Sequence, residues 1–206
     1  MIDDVDQRLL ESREPSAVAD VVAEVLSPPI VVVALLTAIS FHASSGLPSA
    51  LGWIALTTTF CAGIPYLLLL RSVRAGHVAD RHLVRRDERR RPLLAALLSV
   101  LAGLTLLVWL DAPSSLTALV VAFVAGLVVM LPITLQWKAS LHVAVVSGAL
   151  AIIGRVFGPV LAVTLSPALL LTAWARIRAG RHTLPQVVVG SSVGSAVAIS
   201  VFDLVR

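Results

Sequence analysis

The stretch ARIRAGRHTLPQ, residues 175–186, separates two apolar runs near the end of the chain. The runs on either side, at about 156–175 and 184–203, are close to the roughly 20 residues that an α-helix needs to cross a bilayer. Backbone polar groups in lipid must be satisfied internally, so both runs should be helices. Gly180 is suited to ending the first helix, and Thr183 and Pro185 are suited to starting the second. The stretch therefore predicts a turn between two membrane-spanning helices.

The rest of the chain repeats this pattern. Of its 206 residues, 58% are hydrophobic and only 14% are charged, whereas a soluble domain has about 25% charged residues. The composition excludes an ordinary soluble enzyme and predicts an all-α, polytopic transmembrane bundle of six to seven spans. The other predicted spans lie at about 30–44, 50–70, 93–110, 114–136 and 141–153, with a break at Gly154-Arg155 before the sixth.

Residues 1–27 form a polar lead-in that holds seven of the twelve acidic residues. Val18, Val21, Val22 and Val25 recur at helical spacing, which predicts an N-terminal amphipathic helix with its valines on the membrane surface and its acids facing water. Two units follow from this reading: an interfacial segment at 1–27 and a transmembrane domain at 28–206.

Three polar segments, at 71–92, 137–142 and 175–186, follow the second, fourth and sixth predicted spans. An even number of crossings separates them, so they should lie on the same side of the membrane. Together with the lead-in they hold fourteen of the sixteen Lys and Arg residues. The positive-inside rule then places them in the cytoplasm of a bacterial-type plasma membrane. Because the basic residues cluster beside lipid, we expect phosphates of lipids as partners and no nucleic acid.

Two of these segments carry the residue types that phosphate chemistry uses. Arginine binds phosphate oxygens through two parallel hydrogen bonds, and histidine serves as nucleophile or proton donor near neutral pH. Arg176 ends one predicted helix and His182 precedes the next, where exposed amides favour an anion. Ser140 is a predicted helix cap, with Lys138 before it and His142 in the first turn. These residues predict a phosphate site.

The same residues resemble the type 2 phosphatidic acid phosphatase superfamily over roughly residues 71–190. Arg176, five intervening residues and His182 are similar to its Ser-Arg-x5-His motif, with Ala175 in place of Ser. Ser140-Leu141-His142 is similar to Pro-Ser-Gly-His, with Leu141 in place of Gly. The cluster ending at Arg91-Pro92 resembles Lys-x6-Arg-Pro, although Val84 stands at the Lys position.

The resemblance implies a role for each matched residue. His182 would be the nucleophile that forms a phosphohistidine, and His142 would protonate the leaving alcohol and then activate water. Gln186 stands where the family has an Asp, and an amide there can still orient the imidazole. The residues expected to hold the phosphate oxygens are Arg176, Ser140, Lys138, Arg86, Arg89 and Arg91. Neither a metal nor a cofactor is expected.

The resemblance implies hydrolysis of a lipid phosphomonoester or diphosphate, and prenyl phosphates, phosphatidic acid and phosphatidylglycerophosphate all fit. Two alternatives stay open. Gln186 and the altered first motif favour an inactive relative that binds or carries phospholipid. The basic face also suits a small anion transporter, although such a protein should carry ionisable residues deep in its spans or internal repeats. The sequence does not predict the oligomeric state.

Overall fold

The computed structural model describes residues 16–76 and 90–206, and within these ranges the chain is helical without strands. This confirms the all-α prediction. A π-helical turn lies at Thr59–Gly63. The α-helices are α1 Ala17–Val25, α2 Pro28–Ala43, α3 Leu47–Thr58, α4 Ile64–Arg74, α5 Arg90–Trp109, α6 Ser114–Trp137, α7 Leu141–Val156, α8 Pro159–Leu165, α9 Pro167–Arg178 and α10 Leu184–Val205.

The helices form a membrane-spanning bundle. Within the described ranges, six segments are long and apolar enough to cross a bilayer, and α7 is a shorter apolar helix among them. Many apolar side chains point outward, including Val160 at 79% exposure and Leu170 at 70%. Such side chains are stable against lipid and not against water. The chain is therefore an integral membrane protein. The six segments are Ala17–Ala43, Leu47–Arg74, Arg90–Trp109, Ser114–Thr134, Pro159–Arg178 and Leu184–Val205.

The main core lies where α2, α5, α6, α7 and α10 meet. Leu36 and Ile39 of α2, Leu119 of α6 and Phe202 of α10 are completely buried there, and Ile152 of α7 is 1% exposed. This core lies toward the end of the bundle that holds the C-terminus. It leaves the other end, where α7 and α10 begin, for polar side chains.

Glycines bring α7 and α10 into close contact. A Cβ atom at Gly194 would lie 2.2 Å from the backbone oxygen of Ala144, and one at Gly190 would lie 2.6 Å from that of Ser140. The hydroxyl of Ser147 on α7 donates to the carbonyl of Ser191 on α10 at 2.9 Å. Small residues let membrane helices approach this closely. From the sequence, the four-residue spacing of Gly190 and Gly194 predicts a small-residue surface for close helix packing, and this prediction is confirmed.

A π-helical turn interrupts the second span because Pro65 has no backbone N–H. The amide of Ile64 donates to Thr59 five residues back, which leaves the carbonyl of Phe60 without a helical donor. The hydroxyl of Ser99 on α5 supplies the missing donor at 2.6 Å. Gly103, one turn further along α5, makes room for the Phe60 side chain. The second and third spans are thus joined by this hydrogen bond and by the contact between Phe60 and Gly103.

The predicted break at Gly154-Arg155 is wrong. α7 continues through these residues to Val156, and the chain turns at Gly158, whose φ is +96°. Glycine adopts a positive φ without steric penalty, and the following Pro159 fits the first turn of α8. The Gly-Pro pair is therefore the local signal for this break.

The N-terminal helix α1 is amphipathic, as predicted, but its acids do not simply face water. Val18, Val21 and Val25 are exposed by 57–65%, which agrees with a membrane-facing side. Asp20 instead forms an ion pair with Arg181 at 3.1 Å, and Glu24 lines a cavity inside the bundle. The acidic side of α1 faces the protein because cations of the 175–186 stretch lie there.

Candidate functional site

The end of α9 folds back on itself and brings Arg176 next to His182. α9 ends at Arg178, and Gly180 adopts a φ of +65° as predicted for a helix-ending glycine. The amides of Arg181 and His182 both donate to the carbonyl of Arg176 at 3.1 Å. These bonds satisfy the carbonyl of Arg176, one of the last in α9. They also fix the backbone of His182 against the residue that starts the turn.

The carboxamide of Gln186 caps α10. Thr183 is the N-cap, and the side chains of Thr183 and Gln186 form a capping box with each other's backbone amides. The Gln186 Oε1 atom accepts from the Thr183 amide at 3.2 Å. Gln186 thus stabilises the start of the helix, and its oxygen is engaged by the backbone. The orienting contact expected from Gln186 is made by a different group.

That group is the carbonyl of Lys138, which lies 3.1 Å from the Nδ1 atom of His182. A carbonyl can only accept, so Nδ1 carries the hydrogen in this bond. In the neutral imidazole the lone pair then resides on Nε2, which is the state a nucleophilic histidine requires. Lys138 itself adopts a φ of +57° just after α6. A backbone oxygen thus sets both the tautomer and the orientation of His182.

The segment from Lys138 to His142 lies against the first turns of α10. The amide of Ser140 donates to the carbonyl of Gln186 at 3.1 Å, and Gly190 leaves space for the Ser140 backbone. Ser140 is the N-cap residue of α7, as predicted, but its hydroxyl makes no capping bond. The Ser140 Oγ atom is fully buried and has no hydrogen-bond partner among the described residues.

Arg176, His142 and His182 line one cavity of about 290 Å³. Arg176 and His182 are each 1% exposed and His142 is 9% exposed. The guanidinium and both imidazoles thus meet at a common space although they come from α9, the start of α7 and the loop before α10. The remaining wall is mostly apolar, and it includes Val100, Phe123, Leu127, Met130 and Val197.

The other predicted site residues lie around this cavity, outside it, or beyond the described residues. Lys138, Ser140 and Gln186 are buried behind its wall and do not line it. Arg91 is exposed and lines a separate shallow groove with Arg71. The neighbouring Pro92 does reach the cavity, so the end of the basic loop lies near the site. Arg86 and Arg89 lie outside the described residues.

Sequence reasoning missed Glu24 and Tyr66, two of the polar side chains that line the cavity. Neither belongs to a motif, and each reaches the site through tertiary packing, Glu24 from α1 and Tyr66 from α4. The only signal for Glu24 was its position one helical turn after Asp20 on the acidic side of an amphipathic helix. That pattern alone is typical of a solvated surface.

The arrangement combines one permanent cation and two imidazoles with the amino end of a helix. Such a site attracts a tetrahedral anion and can transfer protons to and from it. Among the described residues, no group of three His, Cys, Asp or Glu side chains has a metal-binding arrangement. Comparison of the chain with models of protein families, with curated proteins and with solved structures finds no match.

Proposed function

We propose that this chain is an integral membrane phosphatase that hydrolyses a lipid phosphomonoester or diphosphate through a phosphohistidine, as a divergent member of the type 2 phosphatidic acid phosphatase superfamily. The observation that carries this proposal is the single cavity lined by Arg176, His142 and His182. These are the residues to which the motif resemblance assigns charge stabilisation, proton transfer and nucleophilic attack.

In the first step, the Nε2 lone pair of His182 attacks phosphorus while the bond from phosphorus to the leaving oxygen breaks. The hydrogen bond from Nδ1 to the Lys138 carbonyl supports this step, because it keeps the lone pair on Nε2 and stabilises the positive charge that develops on the ring. Arg176 pairs with the phosphoryl oxygens, and protonated His142 donates its proton to the leaving oxygen.

In the second step, His142 is neutral and takes a proton from a water molecule. The resulting hydroxide attacks phosphorus, the bond from phosphorus to Nε2 breaks, and inorganic phosphate leaves with the lone pair restored to His182. His142 is protonated again, as at the start. No step consumes any reactant other than the ester and water.

The apolar part of the cavity is the proposed place for the lipid tail. It extends from the histidines toward Val100 and Phe123 in the interior of the bundle. At about 290 Å³, the cavity is near the lower end of the size range of small-molecule pockets. We propose that the first part of one hydrocarbon chain enters the cavity, with the remainder in the bilayer. Prenyl phosphates, phosphatidic acid and phosphatidylglycerophosphate can each supply such a chain.

We propose that the site opens on the cytoplasmic side of a bacterial-type plasma membrane. The support for this orientation is the distribution of Lys and Arg in the sequence, where fourteen belong to the lead-in and to the polar segments at 71–92, 137–142 and 175–186. Arg155 pairs with Asp203 at the opposite end of the bundle.

Phosphate release from a panel of lipid phosphates tests the proposed function. Purified protein in lipid nanodiscs should release phosphate in the presence of a chelator, and His182→Ala should abolish this release. The matched control is His42→Ala, because His42 lies at the other end of the bundle against the ring of Phe157. The proposal is contradicted if the wild-type protein releases phosphate from no lipid of the panel, or if His182→Ala and His42→Ala lose phosphate release equally.

One observation favours a second candidate, a lipid-phosphate binding protein without turnover. Gln186 is engaged in capping α10, so no carboxylate from that helix stabilises the His182 imidazolium. A binding protein should retain phosphatidic acid through purification and lose it in Arg176→Ala, with no phosphate release under any condition of the panel.

A further inference from the structure

Two contacts hold the N-terminal helix α1 beside the cavity. Ala19 and Ala23 are fully buried against Ala175 of α9. Asp20 pairs with Arg181 through an Nη2-to-Oδ1 contact of 3.1 Å. Ala175 and Arg181 directly neighbour Arg176 and His182 in the chain. α1 is thus fixed to the same short stretch of backbone that positions the guanidinium and the imidazole.

Glu24 follows Asp20 by four residues and therefore lies on the same side of α1, one turn closer to the cavity. It lines the cavity together with Arg176, His142 and His182. Of the acidic side chains in 16–76 and 90–206, only Glu24 does so. The α10 helix presents the neutral Gln186 instead.

From this placement we infer that Glu24 belongs to the anion site, where its carboxylate is the counter-charge to Arg176 and to the imidazolium of His182. The catalytic part of this inference rests on the proposed function, while the electrostatic part does not. A carboxylate on the cavity wall repels a bound phosphate and stabilises a ring that becomes positive as the phosphoryl group is transferred. Glu24 is thus a positioning residue that acts through His182.

Kinetics of Glu24→Gln test the inference, because opposite effects are expected on binding and turnover. The loss of repulsion should lower KM, and the loss of stabilisation should lower kcat by about tenfold or more. Glu24→Asp should restore part of kcat. The matched control is Asp203→Asn, because Asp203 pairs with Arg155 at the opposite end of the bundle. A merely structural role in holding α1 predicts a lower melting temperature and equal losses of kcat and kcat/KM in Glu24→Gln and in Asp20→Asn, which breaks the contact of α1 with Arg181.

The pH dependence of kcat/KM is a second test, because a folding defect lowers the activity without shifting this profile along the pH axis. Without the nearby carboxylate the imidazolium of His182 is less stable, so the acid limb of kcat/KM should move to lower pH in Glu24→Gln. Asp203→Asn should leave this limb in place. The other titratable groups that line the cavity are Arg176 on α9, His142 on α7, Tyr66 on α4 and Cys61 in the π-helical turn, and all are unchanged in both variants.

Inorganic phosphate separates failure of this inference from failure of the proposed function. Calorimetry with inorganic phosphate should show about threefold to tenfold tighter binding to Glu24→Gln than to wild type, with Asp203→Asn unchanged. An active wild type with equal kcat, pH profile and phosphate affinity in Glu24→Gln overturns only the inference. Tighter phosphate binding in a protein without turnover overturns only the enzymatic function. A wild type that neither binds phosphate nor turns over overturns both.

Discussion

The contact between α7 and α10 is the part of the fold on which the site depends most, and Gly194→Ala tests it. The new Cβ atom would lie 2.2 Å from the carbonyl oxygen of Ala144, whereas ordinary contact begins at 3.4 Å. The two helices must therefore separate locally by up to about 1.2 Å, the difference between these distances. The backbone of α10 fixes the position of the new Cβ atom, and the atoms that it meets belong to the backbone of α7. Rotation of a side chain therefore cannot relieve the clash.

Overpacking of this kind costs about 1–3 kcal/mol. For a chain of this size, 1 kcal/mol corresponds to about 2–4 °C in Tm, so Gly194→Ala should melt about 2–12 °C lower. The same separation should weaken the bond from Ser147 to Ser191 and reduce phosphate release. Thermal unfolding in nanodiscs measures the first effect. The control is Gly52→Ala on α3, where an added Cβ meets open space. Equal Tm values for Gly194→Ala and Gly52→Ala refute the close contact.

The remaining predictions concern the π-helical turn, the tail pocket and the far end of the bundle. Ser99→Ala should lower stability by about 1–3 kcal/mol, because the buried carbonyl of Phe60 loses its donor. Gly126→Phe should reduce phosphate release from lipid substrates by about tenfold with little change in Tm, since Gly126 lines the cavity and its Cβ position is open. Arg155→Ala should change stability by less than about 1 kcal/mol, because its pair with Asp203 is about half exposed.

Each of these changes has a matched control or a contradicting result. Thr105→Ala removes an exposed hydroxyl bonded within α5 and should not reproduce the loss in Ser99→Ala. Gly52→Phe adds the same ring to an open position outside the cavity, so equal activity loss in both phenylalanine variants argues against a tail pocket. A loss of several kcal/mol of stability in Arg155→Ala contradicts the small contribution expected of this exposed ion pair.

Local features of the site were predictable from the sequence because the signals act within a few residues. Gly180 ends α9, and Thr183 and Ser140 occupy N-cap positions. The spacing of Gly190 and Gly194 indicated close packing, and the even number of spans between polar segments indicated a common side. The bond between His182 and the Lys138 carbonyl bears out that two of these segments meet.

Features that depend on tertiary contact were not predictable in the same way. Whether Glu24 faces water or a cavity is decided by the packing of α1 on α9, more than 150 residues away in the chain. Residue types do not indicate that the Gln186 carboxamide accepts from the Thr183 amide. They also do not indicate that the backbone carbonyl of Lys138 orients His182 in its place. The turn at Gly158-Pro159 is different, because the Gly-Pro pair is a local signal for it in the sequence.

The most direct test of the proposed chemistry is to trap the phosphoryl group on His182. In His142→Ala, a prenyl diphosphate should still react, since its leaving group, a prenyl monophosphate, is a weaker base than an alkoxide and needs little help from a proton donor. Hydrolysis of the intermediate should be slow because no base activates water. Mass spectrometry under alkaline conditions should then find a phosphate on the peptide that contains His182. Turnover by the wild-type protein with no phosphate on His182 in His142→Ala, or with the phosphate on another residue, contradicts the account.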